Sequence, residues 1–335
     1  MRLISLSKII GAGLLVLASA SAGRADDQMT LTLNFLAQPF QSGFFLAKEQ
    51  GFYKDAGIDL KIIEGKSSSS TAQITAAGQT DVGFVSGPAA ITIINKDAPL
   101  KIIAEVVHGN FQAVASMAKS NIKEPKDLIG KTVAVCPGCA QLPMLQGMLA
   151  KAGIKDGEVH IQNVDQSAHI SMLEEGKVDA VAGDPNTISI EMEKRGDEVS
   201  NMFFKDWGIG LLNYVLIARD DKLEQNPDLY KRFVAASLKG WRAVIDHPED
   251  GISALQKQYP EIKLDRDTLL RQLTEGIVPF ICVNDSPGIG KASKALWDTT
   301  YEIMTNYMKL DAKIPVDKIY TDDYLPAELP ACPKA

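Results

Sequence analysis

The chain of 335 residues is poor in the groups that perform covalent chemistry. It has four histidines, His108, His160, His169 and His247, and no two of them share a ligand-like spacing. A His-Glu-x-x-His helix is missing, which excludes a zincin-type hydrolase. A Gly-x-Ser-x-Gly elbow and a P-loop are missing as well, so neither serine-hydrolase chemistry nor ATP hydrolysis belongs to this chain. There is no arginine cluster for a strongly anionic ligand. There is no long linker or charge block, and low complexity is confined to the serines at 67–70. The formal net charge of −7 has the wrong sign for nucleic acid or an anionic membrane.

The first 25 residues have a character of their own. Arg2 and Lys8 make a basic start, residues 9–20 are largely apolar, and small residues follow to Ala25. That is the pattern of a secretory signal peptide, with cleavage expected after Ala25 and Ala20 or Ala22 as alternatives. The apolar run is shorter than the roughly 18–20 residues that span a bilayer, and no later run is long enough. No cysteine lies at a plausible cleavage point for lipidation. Cleavage leaves 310 residues with 32 basic and 42 acidic side chains, a net charge of −10. A chain of that size is expected to divide into two lobes.

The rest alternates strand and helix. Strands are expected at 31–36, 58–63, 81–85, 100–107 and 113–118, with helices at 43–50, 68–77 and 89–95 between them. The alternation restarts after Pro125, with strands at 132–135, 158–164, 178–182, 199–204 and 213–218. Its helices are expected at 142–152, 167–175 and 187–195. From Asp220 the spacing of apolar residues is near 3.6, which predicts helices at 227–246, 248–258, 266–278 and 290–308. Such an order predicts mostly parallel sheets flanked by helices.

The most specific stretch runs from Phe35-Leu36-Ala37-Gln38-Pro39-Phe40 through Ser42-Gly43-Phe44-Phe45 to Gly51-Phe52-Tyr53-Lys54-Asp55-Ala56-Gly57. A strand, a turn and a helix N-terminus in that order aim free N–H groups at a site beside the strand end. The stretch closely resembles the opening of bacterial solute-binding proteins for sulfonates, taurine, nitrate and thiamine-pyrimidine precursors. The steps Ala77-Gly78-Gln79-Thr80-Asp81, Lys126-Asp127-Leu128-Ile129-Gly130-Lys131 and Glu175-Gly176-Lys177-Val178-Asp179 resemble later motifs of that family in the same order. So does Lys239-Gly240-Trp241 with His247-Pro248. The resemblance covers about Leu31 to Pro326. It implies the two-lobe α/β fold of type II periplasmic binding proteins, each lobe a mostly parallel sheet flanked by helices. Two crossing strands, expected near 114–118 and 213–218, form the hinge. Residues 26–115 plus 216–335 make lobe one and 116–215 lobe two. The same resemblance implies a periplasmic monomer that delivers a small solute to an ABC permease with a separate ATPase subunit, without cofactor or metal.

In such sheets ligands sit beyond the carboxyl ends of the strands. The loops there nominate Gln38, Phe40 and Phe44, then Lys66 and Ser67, Ser86 and Gly87, Cys136 and Gly138, and Asp184. His108, at the end of a strand near the crossing, and the aromatics Trp207 and Tyr214 complete the set. Phe111 and Ser42 lie in the same neighbourhood. Ser42, Ser86 and Asp184 also suit helix caps, Lys66 a solvated loop, and any of the aromatics a core. The aromatics favour a flat heteroaromatic solute such as a thiamine-precursor pyrimidine, with an alkylsulfonate, taurine or nitrate as the alternative.

Cys136-Pro137-Gly138-Cys139 is a lone CxxC at a strand-to-helix turn. A local disulfide is expected, with Cys282–Cys332 as the second pair tying down the tail; redox chemistry or metal binding are the alternatives. Some eukaryotic relatives of the resembled family are enzymes that make the thiamine pyrimidine with a pyridoxal-phosphate lysine, a histidine and a cysteine-rich loop. Lys66 and the CxxC bear on that reading, but no histidine lies near Lys66 in sequence. A binder rather than an enzyme is expected.

Overall fold

The structure is a computed structural model that describes residues 26–283 and 285–332, so the expected signal segment, 1–25, lies outside the described residues. The chain opens with β1 (Asp27–Thr32), α1 (Ser42–Glu49), α2 (Phe52–Asp55), β2 (Ile58–Ile63) and α3 (Ser68–Ala76). β3 (Val82–Ser86), α4 (Gly87–Ile94) and β4 (Leu100–Val107) follow. The second block holds β5 (Ala113–Met117), β6 (Thr132–Val135), α5 (Gln141–Lys151), β7 (His160–Asn163) and α6 (His169–Glu174). It ends with β8 (Ala180–Gly183), α7 (Pro185–Lys194) and β9 (Val199–Phe203). β10 (Tyr214–Arg219) then leads into α8 (Asp220–Gln225), α9 (Pro227–Asp246), α10 (Pro248–Gln258), α11 (Arg266–Thr274), α12 (Val278–Ile281) and α13 (Lys294–Tyr307).

The strands form two sheets of five, ordered β2-β1-β3-β10-β4 and β7-β6-β8-β5-β9. The pairs β2-β1-β3 and β7-β6-β8 are parallel, and the remaining pairs are antiparallel. β5 pairs only within the second sheet and β10 only within the first. The chain therefore passes from one sheet to the other through residues 108–112 and returns through 204–213.

Burial explains the elements. β3 is buried at every position, as a central parallel strand must be, whereas β2 alternates strictly and exposes one face. On α9 the residues Tyr230, Phe233, Ser237, Trp241 and Val244 form one buried stripe at helical spacing. α1 lies against that stripe at Gly43, where a methyl group would stand 2.5–2.7 Å from the Trp241 ring. Only glycine permits this approach.

Two of the C-terminal helices come out markedly shorter than expected. The stretch expected at 266–278 ends at Thr274, because Gly276 is a weak helix former and Pro279 could not donate to the carbonyl one turn back. The last helix begins at Lys294 rather than 290, where the Ser293 hydroxyl caps the Leu296 N–H at 3.2 Å. The residues before it are used elsewhere. Gly290 bridges Glu105 of β4, and Tyr320 bridges Ile102, so the C-terminal chain covers the edge strand of the first sheet. The disulfide Cys282–Cys332, Cα atoms 5.9 Å apart, fastens this tail.

Candidate functional site

The carboxyl ends of the parallel strands of both sheets converge on one cleft. From the first sheet come Asn34, Phe35 and Phe40 after β1, and Ser68 at the start of α3. From the second come Cys139, Ala140 and Gln141 after β6, and Asp184 after β8. The first passage between the sheets contributes Phe111 and Gln112, and the start of β10 contributes Tyr214. The cavity they leave is about 20 Å³, room for roughly one water. A ring-sized ligand enters only when the two sheets or their loops move apart.

Aromatic rings form one wall. Phe40 and Tyr214 are stacked at 5.4 Å with planes 13° apart, and Phe111 lies 6.2 Å from Tyr214. Amides form another. Gln41 donates to Asn34 Oδ1 at 3.0 Å, Gln141 Nε2 donates to Gln112 Oε1, and the Gln112 N–H donates to Asn110 Oδ1 at 2.8 Å. Asp184 caps α7, accepting from the Asn186 N–H at 3.0 Å and the Thr187 hydroxyl at 2.9 Å. Burial raises the Asp184 carboxyl above the ordinary aspartate range, against the pull of these hydrogen bonds. Burial also raises the Tyr214 phenol, and the neighbouring Asp184 charge pushes it the same way. No lysine or arginine is among the described residues that line the cavity.

Of the residues nominated from sequence, the cavity wall contains Phe40, Phe111, Asp184 and Tyr214. Others stand at its rim or behind it. Ser67 caps α3 and faces Gly138, where a methyl would lie 3.2 Å from the Ser67 hydroxyl. Cys136 is buried and bonded to Cys139, Cα atoms 5.4 Å apart, so both expected disulfides are present. Gln38 is half-buried at the turn preceding α1. Ser86 caps α4 behind the cavity, and Gly87 is held against the second passage by its N–H to the Asn213 carbonyl at 2.5 Å.

The remaining four lie away from the cavity lining. Phe44 is in the core, edge-on to Phe84 and Trp241. Lys66 is exposed. Trp207 is 36% exposed on a turn after β9. His108 is buried, with Nδ1 2.5 Å from the Ser286 hydroxyl and Nε2 2.8 Å from the Glu105 carbonyl. Burial lowers its pKa to about 4, so the ring is neutral at physiological pH. Phe35, Ser68 and Cys139 fall in stretches marked from sequence, whereas the wall residues Asn34, Gln112, Ala140, Gln141 and Gln166 were not singled out. Their available signal was position alone, since several directly follow a strand end or open a helix. A wider groove at the far end of β1, lined by Asp27, Asp55, Asp228 and Arg232, lies at the amino ends of the strands.

Comparison with known proteins agrees with this arrangement. The formylaminopyrimidine-binding protein of Halalkalibacterium halodurans is 27% identical over 258 residues, covering 74% of this chain and 77% of that protein. The 4-amino-5-hydroxymethyl-2-methylpyrimidine phosphate synthase THI12 of Saccharomyces cerevisiae is 23% identical over 317 residues, covering 89% and 88%. Among solved structures, the periplasmic aliphatic sulphonate-binding protein SsuA of Escherichia coli superposes with a TM-score of 0.69 at 16% identity. That superposition covers 89% of this chain and 99% of SsuA, so the two-lobe periplasmic-binding-protein fold is shared. The NMT1/THI5-like family profile matches residues 38–251, more than half of the sequence, and the chain belongs to that family.

Proposed function

We propose that the chain is the periplasmic solute-binding component of an ABC importer and that its solute is a small, flat nitrogen heterocycle of the aminopyrimidine kind. The observation that carries this reading is the composition of the cleft: a stacked Phe40–Tyr214 wall, side-chain amides and a buried Asp184, with no cationic side chain among the described lining residues. Aromatic faces hold flat rings, amides pair with ring nitrogens and oxygens, and a buried carboxylate accepts from an exocyclic amine. The relative named for formylaminopyrimidine binding points to the same class.

An alkylsulfonate, taurine or nitrate would lack a cation to meet it here, which disfavours the alternative. Capture between two lobes that close fits delivery to a permease with a separate ATPase, with the chain acting as a monomer. Binding without turnover is favoured over synthase activity, although some relatives are named synthases. Lys66 stands exposed outside the cavity lining, and His108 is engaged on both ring nitrogens, so neither is placed to work on a cofactor in the cleft.

Calorimetric titration of the mature chain with 4-amino-5-hydroxymethyl-2-methylpyrimidine, its formylamino analogue, taurine, an alkylsulfonate and nitrate tests this. Mass spectrometry of the recovered ligand reports turnover. Binding of a heterocycle recovered intact supports the proposal. Binding of only the anions, or consumption of a bound compound, overturns it.

A further inference from the structure

The Cys136–Cys139 disulfide joins residues only three apart in sequence. So short a closed loop removes little entropy from the unfolded chain, and its main effect is to fix the local backbone. Several observations put that backbone against the solute. Cys139 lines the cavity, and α5 starts two residues later. α5 has eleven residues and no side-chain cap at its N-terminus, which leaves the Gln141 and Leu142 N–H groups as donors with the helix dipole behind them, Pro143 having none. Gln141, 7% exposed, also lines the cavity; its Nε2 is given to Gln112, and its Oε1 has no hydrogen-bond partner among the described residues. A buried acceptor left unpaired costs free energy that a ligand donor would recover. On its outer side the same loop meets the other lobe, where Gly138 packs against Ser67, the cap of α3.

We propose that the Cys136–Cys139 staple is a selectivity element. It holds the α5 N-terminus and Gln141 so that they read a solute edge carrying an acceptor beside a donor, and it seats the second lobe's lip on Ser67 when the lobes close. The proposal rests on the solute-binding reading above. A ring nitrogen beside an exocyclic amine is such an edge. A sulfonate or nitrate presents acceptors only and leaves Gln141 Oε1 unpaired, which is how a polar site rejects the wrong solute.

The test compares wild type, the double variant C136S/C139S, C282S/C332S and Gly138→Ala, all as mature chains, against the same pyrimidine and sulfonate panel. C282S/C332S removes the tail staple, neither cysteine of which lines the cavity, and controls for general loss of stability. Gly138→Ala keeps both disulfides but adds a methyl at a residue with φ +71°, facing Ser67, and carries the test if C136S/C139S does not fold. Expected are a tenfold or greater loss of pyrimidine affinity in C136S/C139S and Gly138→Ala, a narrowed preference over sulfonates, and affinity within twofold of wild type in C282S/C332S. Unchanged affinity and preference in both lip variants overturns the proposal. If no panel compound binds even wild type, the solute assignment fails by itself, and hydrogen exchange then decides the lip. Faster exchange at both 66–70 and 139–145 in the lip variants supports it, and unchanged exchange overturns it.

Discussion

The phenol ring of Tyr214 lies over the ring of Phe40, centroids 5.4 Å apart and planes 13° from parallel. One ring stands in the loop after the first strand of the chain and the other begins the strand that returns from the second sheet. The stack therefore joins the solute wall to the passage between the sheets, so that filling the cleft and setting the angle between the sheets involve the same rings.

Phe40→Leu keeps apolar volume and removes the stack. Solute affinity should fall about 2- to 10-fold, corresponding to the ~0.5–1.5 kcal/mol that an aromatic pair adds beyond its buried area. Calorimetric titration of the heterocycle found for wild type checks this. An unchanged dissociation constant would mean that the ring does not touch the solute.

Asp184→Asn preserves shape and capping, since asparagine caps a helix about as well as aspartate. It removes the charged acceptor, worth about 1.5–3 kcal/mol, so an amine-bearing solute should bind roughly 10- to 100-fold more weakly. Because burial raises the Asp184 pKa, wild-type affinity should fall on acidification sooner than for an ordinary aspartate, and Asp184→Asn should flatten that profile. A pH profile unaltered by the substitution would remove Asp184 from solute recognition.

Lys66→Ala separates the two solute classes. With Lys66 exposed and outside the cavity lining, a neutral pyrimidine should bind within about twofold of wild type. A large loss, together with steep salt dependence, would instead favour an anionic solute reached by this loop.

Glu105 governs stability against pH. It is buried on β4, and its Oε2 accepts from the Ala292 N–H at 3.0 Å, holding the C-terminal chain to the edge strand. Burial, aided by the Asp322 charge, raises its pKa from 4.5 to about 8, while the hydrogen bond from Ala292 opposes the rise. Lys291, paired with Asp322, is the cation beside it. A carboxyl raised on folding adds stability that is complete below its unfolded value and is lost as pH climbs through its folded one. Above about pH 7, where His108 is neutral in folded and unfolded chain alike, wild type should thus melt progressively lower up to about pH 9, by at most ~1.4 kcal/mol for each unit of pKa difference. Glu105→Gln should melt nearly independently of pH over that window. Parallel melting curves for the two proteins would show that Glu105 does not titrate there.

Much of the fold was legible because its causes are local. The apolar–polar alternation of residues 58–62 reproduces β2, and Pro227 with the 3.6-residue stripe reproduces α9 at its full length. Asp184 and Tyr214 were legible as wall residues because each lies at or next to a strand terminus, and Phe40 because it lies in the turn between β1 and α1. Phe44 was not separable from Phe40 by sequence, because what sends its ring inward is the Trp241 indole on a helix almost 200 residues later. Asn34, Gln112, Gln141 and Gln166 carried no pattern at all, since a neutral amide in a loop belongs to no periodicity.

By itself the sequence determined the alternation of strands and helices, the resemblance to solute-binding proteins, the poverty of catalytic groups and the short range of the Cys136–Cys139 staple. These depend on backbone preferences and spacings within a few residues of one another. Only the tertiary structure decided that Asn34, Gln112, Gln141, Asp184 and Tyr214 face one small cavity and that Lys66 and Trp207 do not line it. That outcome depends on which strands pair and where the chain passes between the sheets, and those are settled by burying apolar surface between segments far apart in the chain.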